Sequence, residues 1–518
     1  MRAHLMSPDR DEAVPDGSRG FLWHPSWAPG SLFPDLRADL QLDVLLDAAA
    51  GGDPLVREAC EQALLHPVVD PAIVRHRQAA VRDCLAHPDL LAALRGLAAD
   101  GLQAERDSWW MPLRSRRPSV EESTRTLRAQ LAVLVRLRDA LSACAREVRS
   151  DAFRALVDVA RRELDEAWLV RAGEVLDAAG SMHAVLVEAG LGPGGATVDL
   201  VPRLPERTGR LFPRIVVARP SADFEIPDRD EAGFQALSRF TARVLARTET
   251  ALAESVDHLH RFFAQLRWEA AFLQGCANLE GALRARGSRT CDAAVEAPGG
   301  AALDATGLYD PCLVLRTGAP AVPNDVDGRG RGLLVITGAN HGGKTTLLRA
   351  LGVAQLLAGA GMPVPAESLR ISLAPSVRTH WSRPETGAGG GGKFDEELAR
   401  MSALVDDLRA GSLLLSNESF SSTNEAEGSR IGADVIEALV GSGVRVAAVT
   451  HLVTMARELE ASGVPAVFLR AGRGEGGERP YRLTPGGPLA TSYAEDLWAR
   501  EFATARVGSP TAAGPDLR

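Results

Sequence analysis

Residues 332–351 read GLLVITGANHGGKTTLLRAL, and this stretch decides the fold of the second half of the chain. The apolar run LLVI at 333–336 has the length and composition of a buried strand, and LLRALGVAQLL at 347–357 has helical spacing. Between them Gly338, four intervening residues, then Gly343, Lys344 and Thr345 form G-x-x-x-x-G-K-T. In this pattern the glycines let backbone N–H groups converge on a phosphate, and the helix points its positive end at it. The lysine bridges the outer phosphates and the threonine hydroxyl ligates Mg²⁺. Composition supports the same reading. Of 58 basic residues only Lys344 and Lys393 are lysines. A coding bias that converts Lys to Arg wherever a solvated charge suffices leaves Lys344 where a compact point charge is needed, a place the planar guanidinium does not fit.

With 518 residues the chain has room for two or three domains with sizeable cores. Apolar residues (45%) and charged residues (24%) stand at ordinary globular levels. There is no leader of basic, apolar and small segments and no apolar run of about 18 residues. The expectation is a soluble cytoplasmic protein without a membrane partner. Cys60, Cys84, Cys144, Cys276, Cys291 and Cys312 are scattered, with no C-x-x-C pair and no His at zinc spacing, so buried free thiols are expected. A net charge of −9 excludes a generic polyanion binder. Any nucleic-acid contact must come from a local basic surface.

The expected fold class is α plus α/β: a helical core or lever domain followed by a P-loop domain with a mostly parallel sheet and flanking helices. Residues 1–35, rich in Pro, Asp, Gly and Trp, read as an irregular lead-in. Residues 36–299 read as the helical domain. In RTLRAQLAVLVRLRDAL, for example, Leu127, Leu131, Leu134 and Leu141 fall on one stripe. A small insertion is expected at 181–230, with AVLVEAG (184–190) and PRIVVARP (213–220) as short strands. Residues 234–274 contain no Gly or Pro and predict one helix of roughly 60 Å, suited to a lever. Residues 300–505 alternate short apolar runs with helical stretches, as a parallel sheet with crossover helices requires. Residues 506–518 read as a disordered tail.

A phosphate cradle does not hydrolyse anything alone. The run LLLS at 413–416 predicts a neighbouring strand, and Glu418 just past its end is placed to orient or activate a water. The alternative is a surface carboxylate. Asn417 stands where an Asp commonly supports the magnesium shell. Its amide still accepts from a metal-bound water but removes a negative charge, so weaker metal affinity or slow turnover is expected. His451 follows the strand AAVT and can sense a phosphate or a water. The alternative is a structural histidine.

VPNDV (322–326), TGANHGGKTT (337–346), NES (417–419) with STNEAEG (422–428), VTH (449–451) and YRLTPGGPLATSYAEDLWA (481–499) resemble, in order, the ATPase domain of the MutS family of DNA mismatch-repair proteins. Residues 43–91 resemble the opening of that family's helical core, and the likeness covers roughly residues 36–500. It implies ATP phosphates on Gly338, Ala339, Asn340, His341, Gly342, Gly343, Lys344, Thr345 and Thr346, with Mg²⁺ at Thr345 and Asn417. It further implies a catalytic carboxylate at Glu418 and a switch histidine at His451. Phe394 and Glu397 match the loop that reaches the partner subunit's nucleotide in a homodimer with composite sites.

Three departures count: Asn417 for Asp, Gly392-Lys393 for the Ser-Thr before the loop Phe, and the expectation that the family's mismatch-reading domain has no counterpart ahead of residue 36. Lys393 is expected to cross a dimer interface onto the other subunit's γ-phosphate in place of the lost hydroxyls. A flexible surface lysine is the equal alternative.

The most basic and aromatic stretch outside the ATPase region holds Arg106, Arg114, Arg116, Arg117 and Arg125 with Trp109 and Trp110. Contact with DNA phosphates at Arg114, Arg116 and Arg117 is one reading. Asp107, Glu121 and Glu122 among them make a salt-bridged surface the other. Three functions remain open at this point. The leading one is a homodimeric, nucleoid-associated ATPase that clamps branched or otherwise unusual DNA without reading mismatches. The others are a nucleotide-switched binding protein that scarcely hydrolyses ATP and a transporter-type ATP-binding subunit, the last disfavoured by the absence of L-S-G-G-Q.

Overall fold

A computed structural model describes residues 3–8, 33–66, 68–108, 119–180, 187–191, 197–202, 231–383, 392–472 and 478–488. Within them the chain is mixed α/β and parts into two compact units. His87–Arg149 and Phe153–Ala270 make up most of one, and Leu5–Ala86 and Ala271–Arg518 most of the other.

Four helices open the described chain: α1 (Phe33–Asp39), α2 (Leu42–Ala50), α3 (Pro54–Leu65) and α4 (Pro71–Ala86). At the start of α3, the Asp53 carboxylate accepts from Leu55 N–H, and Pro54 at the first helical position needs no acceptor of its own. These helices belong to the sheet-bearing unit. A single boundary near residue 300 therefore does not follow the division in space. Helical spacing reveals that a face is buried, not what buries it.

The helical unit contains α5 (Pro88–Ser108), α6 (Val120–Cys144), most of α7 (Asp151–Glu163), α8 (Glu166–Gly180), the strands β1 (Val187–Leu191) and β2 (Thr197–Pro202), and most of α9 (Glu231–Arg284). A reciprocal cap starts α6, in which Ser119 Oγ accepts from Glu122 N–H and the Glu122 carboxylate accepts from Ser119 N–H. Leu127, Leu134 and Leu141 of the expected stripe are buried, and Leu127 shares a core with Leu176, Leu252 and Val256. β1 and β2 pair antiparallel. AVLVEAG thus overlaps a strand as expected, but its partner is 197–202, and PRIVVARP lies outside the described residues. The helix expected over 234–274 runs further at both ends, 54 residues or about 80 Å.

The remaining elements are β3 (Ala294–Glu296), β4 (Leu303–Leu308), α10 (Pro311–Thr317), β5 (Asn324–Asp327), β6 (Leu333–Gly338), α11 (Lys344–Ala360), β7 (Ser368–Ser372), β8 (Val377–Trp381), α12 (Lys393–Asp407), β9 (Leu413–Asn417), α13 (Glu425–Gly441), β10 (Arg445–Val449), α14 (Val453–Ala461), β11 (Ala466–Ala471) and β12 (Leu483–Pro485). Six strands form one sheet in the order β12-β11-β6-β10-β9-β8, parallel at every pairing except β11–β12. A second, mixed sheet has the order β3-β7-β4-β5. The middle strands of the larger sheet are continuous apolar runs because both their faces are covered: LLVI of β6, LLLS of β9 and all of β10 are buried. Among the described residues, no helix is long and apolar enough to cross a membrane.

Candidate functional site

The parallel strands end level with one another. Gly338 of β6 lies opposite Ala471 of β11, and Asn417 of β9 lies opposite both Val449 of β10 and Trp381 of β8. Loops leaving such ends open into the crevice where ligands of parallel sheets bind. The turn out of β6 is possible because residue 338 is glycine. Its φ is +104°, and a β-carbon there would meet the Ala471 backbone at 2.8 Å. The helix that follows starts at Lys344 with Gly343 in the cap position, so no side chain competes for the first-turn N–H groups.

Lys344 is buried, and its Nζ donates to Gly338 O at 2.8 Å and to Asn340 Oδ1 at 3.5 Å. Glu418 Oε1 stands 3.9 Å from the same nitrogen. Burial lowers the lysine pKa, and the Glu418 charge opposes that fall. A cation drawn into a dry pocket and held mainly by a carbonyl is available to a stronger anion. One residue on, Thr345 Oγ1 donates to Asn417 Oδ1 at 3.0 Å. These paired oxygens are the hard donors a divalent cation of the Mg²⁺ type takes, though both are neutral.

Glu418 closes the group. It sits at φ +56° just past β9, and its Oε2 accepts from His451 N–H at 2.9 Å and lies 2.5 Å from His451 Nδ1. This contact raises the histidine pKa, with burial working against it. Lys344, Thr345, Asn417, Glu418 and His451, expected together from the sequence, are thus brought together. Ala339 is buried, while Asn340 and His341 are exposed on the same loop and Thr346 lies in the first turn of α11.

Glu397, matched to the loop that reaches a partner subunit, is a buried residue of α12, with one carboxylate oxygen 2.6 Å from Phe420 N and the other accepting from the Ser422 hydroxyl. A carboxylate that deep must be fully hydrogen-bonded, and these donors lie in its own chain, directly after Glu418. Phe394 packs against the sheet's core, and Lys393 is half-buried at the start of α12.

Sequence reasoning left one participant without a role. Asn324, quoted within VPNDV, donates to Tyr481 O at 3.2 Å and accepts from Leu483 N–H at 2.7 Å. Tyr481 O in turn lies 3.4 Å from where a Gly343 β-carbon would stand, so Asn324 ties the lead into β12 beneath the loop. Its signal was an Asn opening a short strand with no turn to make.

Arg114, Arg116, Arg117, Trp109 and Trp110 lie outside the described residues. On α6, Arg128 pairs with Asp177, Arg136 with Asp100 and Arg138 with Asp139 and Glu166. Cys60, Cys84, Cys276 and Cys312 are buried free thiols with raised pKa values; Cys144 and Cys291 are half-buried. No metal-holding cluster of His, Cys, Asp and Glu occurs among the described residues.

Two family models match the chain: the MutS2 N-terminal domain over residues 69–286 and MutS domain V over residues 334–469. The mitochondrial DNA mismatch repair protein MSH1 of Arabidopsis thaliana is 33% identical over 168 residues, 32% of this chain and 15% of that protein. Endonuclease MutS2 of Anaeromyxobacter sp. (strain Fw109-5) is 33% identical over 218 residues, covering 41% and 26%. DNA mismatch repair protein MutS of Thermus aquaticus is 31% identical over 181 residues, covering 34% and 22%. The matched part is thus between 15% and 26% of these relatives' lengths.

The Glu418–His451 contact predicts a titration. In histidine-selective NMR, His451 titrates above the ordinary 6.5, and Glu418→Gln brings it back toward that value. Because the folded-state pKa is raised, the pair's contribution to stability is complete below about 6.5 and is lost as pH rises through the raised value. An identical titration in both proteins would rule the contact out.

Proposed function

The chain belongs to the MutS family, and from that premise we propose that it binds and hydrolyses ATP at residues 338–346 and couples its nucleotide state to its hold on DNA. One observation carries the reading: Lys344, Thr345, Asn417, Glu418 and His451, spread over 108 positions of sequence, converge at the carboxyl ends of β6, β9 and β10. In this reading Lys344 leaves Gly338 O for the outer phosphate oxygens. Thr345 and Asn417 would hold Mg²⁺, which when bound neutralises phosphate charge. Glu418 then exchanges His451 for the attacking water and orients it, while His451 reports the γ-phosphate.

The partner assignments belong to the same proposal. Two copies of the chain complete each other's sites, with Lys393 reaching across, in a cytoplasmic complex whose substrate is duplex or branched DNA. Helix α9 runs unbroken from one unit into the other and offers a route along which closure reaches the DNA. A second reading is favoured by one residue. Asn417 puts a neutral amide beside Thr345, and a weakly held metal would make the protein a switch that holds ATP and scarcely hydrolyses it.

Steady-state Mg-ATPase activity, with and without duplex and four-way-junction DNA, tests the first reading. The expected result is a DNA-dependent rate that Glu418→Gln lowers about 100-fold or more. Tight ATP binding without turnover would favour the switch. Asn417→Asp restores the charge and is expected to lower the Mg²⁺ concentration for half-maximal activity several-fold; no change would remove Asn417 as the limiting feature. Lys393→Ala is expected to abolish ATP-driven dimerisation in sedimentation velocity, and a dimer that still forms would leave Lys393 a surface residue.

A further inference from the structure

The turn that carries Glu418 is conformationally costly. Glu418 (φ +56°) and Phe420 (φ +63°) both lie in the left-handed region that non-glycine residues avoid, so surrounding contacts must hold them there. The main contact from below is Glu397 of α12, which accepts from Phe420 N–H at 2.6 Å and from the Ser422 hydroxyl. Its backbone is held as well. His380 is buried, and burial pushes its pKa down to about 4, so it is neutral near pH 7. Its Nε2 lies 3.3 Å from Glu397 O and its Nδ1 2.6 Å from Ser419 Oγ, whose hydroxyl also donates to His380 O at 3.1 Å. Ser416 Oγ donates to Ser419 Oγ at 2.7 Å, and the His380 ring stacks on Phe420. Every residue from 416 to 420 except Asn417 and Glu418 is buried. The two that remain project toward Thr345 and His451.

We propose that Glu397 is a positioning residue for Glu418: a buried brace from α12 that holds the left-handed turn and fixes where the carboxylate points. The proposal rests on the ATPase reading above for what Glu418 does. Glu397 stands four residues after Lys393, on the same side of one helix. Whatever displaces the start of α12 therefore acts on the turn that aims Glu418, and α12 becomes a sensor for hydrolysis in its own chain.

The test uses the full chain with Glu397→Gln, Ser422→Ala and Glu418→Gln. Three quantities are read: ATP affinity by equilibrium titration, hydrolysis rate at saturating ATP, and hydrogen exchange of the peptide spanning 417–423. Gln keeps the shape of Glu but loses the charge and one of the two acceptor oxygens. Glu397→Gln is expected to slow hydrolysis roughly tenfold or more while ATP affinity stays within about twofold, with faster exchange confined to 417–423. Ser422→Ala, which leaves Phe420 N–H its acceptor, is expected to have a smaller effect in the same direction. Unchanged rate and exchange in both variants would overturn the proposal. So would a joint fall in rate, ATP affinity and melting temperature, which marks a general packing role. If the wild-type chain shows no hydrolysis that Glu418→Gln removes, the ATPase reading fails. Exchange then decides the brace alone: faster at 417–423 in Glu397→Gln supports it, and unchanged protection overturns it.

Discussion

Everything at the carboxyl edge of the larger sheet depends on the space at residue 338, where a β-carbon would lie 2.8 Å from the Ala471 nitrogen and 2.9 Å from its oxygen. With no side chain there, β6 and β11 stay paired to their last residues, and the chain turns at once. The loop is short for that reason. Its end, Lys344, comes back beneath the strand with Nζ on the Gly338 carbonyl. A longer exit from β6 would leave the amine without that contact and shift α11 along its axis.

The position of Lys344 is inherited from the packing of α11. That helix is buried along almost its whole length and packs against β9 and β10 as well as α3, α4 and α10. Each fully buried leucine in it contributes on the order of 2 kcal/mol. Gly352 is the closest approach, since a β-carbon there would lie 2.4 Å from Leu415 Cδ1. Interiors this dense transmit displacement rather than absorb it, so α3 and α4 help to place the loop although they precede it by more than two hundred positions.

The sequence was most legible where local chemistry is demanding. A lysine in a chain of arginines, a glycine that nothing else can replace and apolar runs of strand length pointed to β6, the loop and α11. Glu418 and His451 were legible from their places after strand-like runs. What stayed hidden was the long-range contact. That α3 and α4 pack on α11 is a fact of packing, and helical periodicity carries no address. Glu397 shows the same limit. Nothing in the sequence near it announced that it is buried against the N–H of Phe420 and the hydroxyl of Ser422. A shared motif does not distinguish a side chain that reaches outward from one that holds its neighbour in place.

Three titratable groups line up at the strand ends: Lys344, Glu418 at 3.9 Å from its amine, and His451 at 2.5 Å from the Glu418 carboxylate. At rest the amine and the carboxylate cancel, so the cleft presents little net field to an approaching polyanion. Attraction at a distance falls to fixed peptide dipoles, which are insensitive to pH and fade within one helical turn. Capture is then a short-range event. Under the proposed function, an arriving phosphate must break an existing pair, and the carboxylate it displaces is the group that would stand beside the attacking water. Binding and arming are in this sense one exchange of partners.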